Sequence, residues 1–104
     1  MYARVSTIEG STDQLDEGID HMKREIIPAV KQLGGQGIIS LADRTSGKSL
    51  TITLWDTEED LRESEERANQ LRKQAAEGVG ATGEPQVERY EVVVYDVEAG
   101  VTVS

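Results

Sequence analysis

The chain has 104 residues, 37% of them hydrophobic, with no Phe, one Trp and three Tyr: one domain's worth of chain, with a core short of bulky filler. Its 20 acidic residues against 11 Lys and Arg leave a formal charge of −9, which speaks against nucleic-acid backbones and anionic membranes as partners. The lack of Cys excludes disulfides and thiolate chemistry, and no apolar run reaches the roughly 18 residues of a membrane span, so a soluble, cytoplasmic protein is expected.

Tyr2 to Glu9 reads as a strand and not as a signal peptide: Val5, Thr7 and Ile8 favour extended backbone, and Gly10-Ser11-Thr12 stops it. Ser11-Thr12-Asp13-Gln14 has the spacing of a capping box, in which the Ser11 hydroxyl accepts from the Gln14 amide. A helix is predicted from there to Leu33, because Leu15, Ile19, Met22, Ile26, Ala29, Val30 and Leu33 step by three or four along one face. Pro28 lies inside it and should kink it, and Gly34-Gly35 ends it.

Gly37 to Arg44 and Ser49 to Asp56 read as a second and third strand joined by a turn at Thr45-Ser46-Gly47-Lys48. In the third, Leu50, Ile52 and Leu54 alternate with Thr51, Thr53 and Trp55, one apolar face and one mixed. Thr57 caps a second helix whose first turn carries Glu58, Glu59 and Asp60. Its inner stripe is Leu61, Ser64, Ala68, Leu71 and Ala75, of which the small Ser64, Ala68 and Ala75 let the sheet approach closely or leave a pocket. Glu77 to Glu84 carries three glycines and reads as a loop, and Gln86 to Val97 as a long fourth strand. Residues 1–97 then form a single domain, with 98–104 a short tail that serves as a fifth strand or an arm.

The order β-α-β-β-α-β is the split βαβ motif, an α+β ferredoxin-like fold: a four-stranded antiparallel sheet with two helices on one face. Apolar side chains on both strand faces leave the second sheet face in need of cover. A twofold homodimer, sheet against sheet, is the expected solution.

This order, the chain length and the passage Trp55-Asp56-Thr57-Glu58-Glu59 into the second helix resemble the antibiotic biosynthesis monooxygenase-like group of the dimeric α/β-barrel superfamily. The resemblance spans Tyr2 to Val97. It implies a pocket within each protomer, between sheet and helices. It also implies cofactor-independent oxygenation of a small aromatic or polyketide-type substrate, with no cofactor and no metal. Non-catalytic ligand binding, or a stress-associated or structural role on the same fold, is the alternative, since fold alone does not select chemistry. Haem degradation as in one branch of the superfamily is not expected: strand one offers Thr7 and no Asn, and the second helix has no His.

Such a pocket needs an apolar wall, a base or anion-stabilising donor, and shielding from water. Trp55, the only Trp, is either an aromatic wall for a flat ligand or a core plug. Tyr2, Gly18, Met22, Ser64, Ala68 and Asn69 are the other candidate pocket residues, and Gly18 inside a helix suggests close packing or room for a ligand. Candidate catalytic groups are Arg4, His21 and Tyr90. Arg4 or Arg89 could hold an enolate or carboxylate, or pair across the sheet with Glu88 or Glu91. His21, the only His, is either a base near neutral pH or a flank residue of its helix. Asn69 and Arg72 lie just off the inner stripe. The acids Glu58, Glu59, Asp60, Glu63, Glu65 and Glu66 read as dipole matching plus a solvated face.

Overall fold

A computed structural model describes residues 1–78 and 83–98. Residues 79–82, within the predicted glycine loop, and 99–104, nearly all of the predicted tail, lie outside the described residues. The elements are β1 (Tyr2–Glu9), a 3-10 turn (Thr12–Gln14), α1 (Leu15–His21), a π-helical turn (Met22–Ile26), α2 (Ile27–Gln32), β2 (Gly37–Ala42), β3 (Lys48–Trp55), α3 (Glu58–Glu63), α4 (Glu65–Gly78) and β4 (Gln86–Glu91). The sheet order is β2-β3-β1-β4, with every neighbouring pair antiparallel. This is the ferredoxin-like arrangement expected from the order of elements.

The first helical run is continuous but not uniform. Its entry differs from a capping box: the Gln14 amide donates to the Ser11 carbonyl at 3.1 Å, while the Ser11 hydroxyl accepts from Asp13. The tight 3-10 turn places the i+3 amide on the carbonyl, so the hydroxyl accepts from the nearer Asp13 amide instead. Instead of a bare kink at Pro28, the helix widens one turn earlier into the π-turn. Proline supplies no N–H, and the wider turn absorbs the missing bond before α2 resumes. At the other end Gly34 at φ 95° donates to Lys31 O and Gly35 to Val30 O, the paired bonds of a Schellman cap.

The second helical run breaks at Ser64, whose hydroxyl donates to the Leu61 carbonyl at 2.8 Å. Such back-bonding by Ser bends helices. Thr57 caps α3 by accepting from Asp60 N at 3.0 Å. The hairpin turn reaches further into the second strand than expected. Asp43 belongs to the turn, its carboxylate accepting from Thr45 and Ser46, and β2 ends at Ala42.

Register decides the two faces of the sheet. Tyr2 pairs with Trp55, Arg4 with Thr53 and Ser6 with Thr51, so the mixed face of β3 lies with Arg4 and Ser6. The helices cover this mixed face: Ile26, Val30, Leu61 and Leu71 bury Trp55, with Tyr2, Met22 and Ile38 packed against the cluster. The apolar face of Leu50, Ile52 and Leu54 is the one without helices. There Ile39, Leu41 and Tyr90 are 43%, 49% and 52% exposed. The fourth strand ends at Glu91, short of the predicted Val97. Val92 makes one further bond, to the Met1 carbonyl, and Val93, Val94, Tyr95 and Val97 follow as exposed apolar residues without strand pairing.

Candidate functional site

The middle of the covered face is polar because β1 alternates: Tyr2, Arg4, Ser6 and Ile8 all point at the helices. Arg4 is 2% exposed, an unusual depth for a guanidinium. The break at Ser64 makes this burial tolerable. Arg4 Nη2 donates to the Leu61 carbonyl at 2.6 Å, to Ser64 Oγ at 3.1 Å and to Glu65 Oε2 at 2.9 Å. These are groups of the α3–α4 corner, where the bend frees a carbonyl from its helix. The guanidinium also lies 5.5 Å from the centre of the Trp55 ring, within cation–π range. Trp55 donates through Nε1 to Thr53 Oγ1 at 2.9 Å, which satisfies the indole inside the core.

Glu65 is the hub. One oxygen takes Arg4, the other faces Arg72 at 3.7 Å, and Arg89 from β4 donates to both. Three guanidinium groups therefore surround a single carboxylate. Burial pushes the Glu65 carboxyl pKa up, but the bonds from Arg89 and Arg4 outweigh it and hold it below the usual carboxylate range. Burial pulls the Arg4 and Arg72 guanidinium pKa values down, partly offset by Glu65. Arg72 reaches Ser6 Oγ at 3.4 Å and also pairs with Asn69.

Between sheet and helices lies a cavity of about 40 Å³. Its polar end is Arg4, Ser6, Thr53 and Arg72; its apolar wall includes Met22, Ile26, Val30, Leu71 and Ala75. A second cavity of about 40 Å³ shares Ile8, Met22, Thr51 and Ala75 with it and extends to Leu15, Gly18 and Ile19. The π-turn carries Met22 and Ile26 onto this wall, and a flexible Met stands between the two spaces.

Of the sequence candidates, the structure brings Arg4, Trp55, Met22 and Ala68 to the first cavity and Gly18 to the second. Tyr2 packs beside Trp55, and Ser64 holds Arg4. Asn69 is exposed and touches the site only through Arg72. His21 lines a different groove, with Glu17, Asp20, Arg24, Gln74 and Glu77, and its Nε2 is buried without a partner among the described residues. Tyr90 faces away from the helices; its hydroxyl donates to Glu88 at 2.6 Å, which raises the phenol pKa. Glu65, read from the sequence as part of a solvated face, and Arg72, placed just off the inner stripe, both belong to the site. Their signal was position: each directly follows a member of the inner stripe, Ser64 and Leu71. Arg4 pairs with this helix and not with Glu88 or Glu91 across the sheet.

Among the described residues no cluster of His, Asp and Glu is placed to hold a metal, and no helix is long and apolar enough to cross a membrane. No family model matches the chain. Two curated relatives, the uncharacterized proteins Rv2557 and Rv2558 of Mycobacterium tuberculosis (strain ATCC 25618 / H37Rv), are each 34% identical, over 93 and 95 residues. The matches cover 88% and 90% of this chain but 41% and 39% of those proteins, so the chain spans about two fifths of their length. Among solved structures, the monooxygenase from the gene ActVA-Orf6 of Streptomyces coelicolor, in complex with the ligand nanaomycin D, superposes with a TM-score of 0.73 at 13% identity over 94% of this chain and 92% of that one. A dimeric ferredoxin-like protein from an uncultured marine organism gives 0.67 at 9% identity over 94% and 100%. An antibiotic biosynthesis monooxygenase gives 0.63 at 13% over 90% and 100%. The chain has the ferredoxin-like fold of the antibiotic biosynthesis monooxygenases.

Proposed function

We propose that this chain is a cytoplasmic, cofactor-independent monooxygenase-like homodimer that takes a small aromatic or polyketide-type phenol between its sheet and helices. One observation carries the reading: a buried arginine and a buried tryptophan meet at the polar end of a cavity inside the protomer whose far wall is apolar. Oxygenation without a cofactor needs the substrate as an anion able to give an electron to O₂. Arg4 and Arg72 favour the phenolate over the phenol, and the walls of Met22, Ile26 and Val30 keep water from it. A space of about 40 Å³ holds little more than one water, whose share of liquid volume is about 30 Å³, so the substrate enters by parting the layers at Met22. The exposed apolar side chains Ile39, Leu41 and Tyr90 support a twofold partner on the other sheet face.

Non-catalytic binding of the same ligands is the second reading. It is favoured by the absence, among the described residues, of an uncommitted base at the cavity: Glu65 is held by arginines, and His21 and Tyr90 are elsewhere. Oxygen uptake with anthrone as substrate separates the two. Uptake matched by quinone formation, and lost in Arg4→Met, supports the oxygenase. A thermal shift by anthrone without uptake supports binding alone. Neither response overturns the pocket itself.

A further inference from the structure

Resting on the pocket reading above, we infer that the cavity selects organic acids: an apolar body lies along the π-turn and a carboxylate seats between Arg4 Nε, Arg72 and the Ser6 hydroxyl. The first ground is charge. In a chain of net charge −9 an acid is repelled on average, yet here three guanidinium groups face one carboxylate. The pair Arg4–Glu65 therefore leaves cationic charge inside the protein that nothing described neutralises.

The second ground is an unused donor. All three bonds of Arg4 leave from Nη2, while its Nε is buried with no partner among the described residues. A buried donor of a charged group left unbonded is costly, and native structures rarely keep one without a reason. An acceptor on the cavity side of the guanidinium removes that cost. Arg72 Nη1, meanwhile, makes only a long 3.4 Å contact to Ser6 Oγ, leaving a second cationic donor and a hydroxyl beside the first. Burial lowers the pKa of both arginines, and an anion beside them would restore it.

The third ground is shape. Trp55 stands with its ring centre 5.5 Å from the Arg4 guanidinium carbon, and Ile26, Val30, Leu33 and Leu71 offer nothing polar beyond it. A ligand acidic at one end and apolar at the other matches both ends. Small hydrophilic anions match only the first.

The test is calorimetric titration of the full chain with 1-naphthoate and 1-naphthamide, which share a ring system and differ in charge. The acid is expected to bind about tenfold tighter or better, the scale of one charge-assisted bond. Arg4→Met and Arg72→Met are each expected to abolish that preference, so that acid and amide bind alike. Arg72→Met carries the test where Arg4→Met does not fold. Equal binding of acid and amide overturns the acid clamp and leaves the pocket standing. A preference for the acid that survives in the folded arginine variants overturns the clamp as well. Failure of both compounds to bind overturns the clamp and the pocket together.

Discussion

Replacing Glu65 by Gln tests the centre of the buried network. The substitution keeps size and one carbonyl acceptor but removes the negative charge that Arg4, Arg72 and Arg89 share. Breaking a fully buried pair costs about 3–5 kcal/mol. Glu65 is 28% exposed and Arg89 47%, so the Arg89 pair adds under about 1 kcal/mol, and the Arg4 bond at 2.9 Å dominates. The expected loss is about 2–3 kcal/mol, or roughly 10–20 °C in Tm for a domain of this size. Urea unfolding at fixed protein concentration, read by Trp55 fluorescence, measures it. Glu66→Gln, on the exposed neighbour, is the control and should stay within about 0.5 kcal/mol. The pH dependence has a defined sign. The folded pKa of Glu65 is depressed, so its contribution is complete above the unfolded value of roughly 4.3 and is lost as pH falls through the folded one. The gap between wild type and Glu65→Gln should be constant from pH 6 to 8 (roughly, on that pKa) and close in acid. A variant as stable as Glu66→Gln, or a gap that widens in acid, would refute this account of the site.

Other substitutions probe the layers around it. Leu61→Ala removes a core side chain that is 4% exposed and should cost about 2–5 kcal/mol in the same assay. At Gly47, φ is +83° and an added Cβ would sit 2.2 Å from the Gly10 carbonyl, so Gly47→Ala should cost about 1–3 kcal/mol or more. Gly34→Ala, at φ +95° but with open space around it, should cost only about 1 kcal/mol; equal losses at the two sites would discount the steric contact. Leu41→Lys places a charge on the uncovered sheet face. Light scattering should show a monomer with an unchanged far-UV circular dichroism spectrum, and an intact dimer would move the partner surface elsewhere.

The amino-acid sequence by itself determined the element order, both helix stripes, the Thr57 cap and the double-glycine stop, because these rest on local periodicity and backbone chemistry. It also showed that both faces of the sheet carry apolar side chains. What it did not determine was which face the helices take. Alternation in β3 separates Leu50, Ile52 and Leu54 from Thr51, Thr53 and Trp55, and apolarity alone would send the first set inward. Only the register with β1, which sets Arg4 against Thr53, together with the helical contacts, puts the mixed face under the helices. The strand limits were equally non-local: β4 stops at Glu91 because β1 begins at Tyr2 and offers Val92 only the Met1 carbonyl. The network was hidden for the same reason. Arg4 and Glu65 are 61 residues apart, and no spacing rule connects them. They meet because Ser64 bends the second helix over the centre of β1, and the cost of burying Arg4 is met by groups that exist only at that bend.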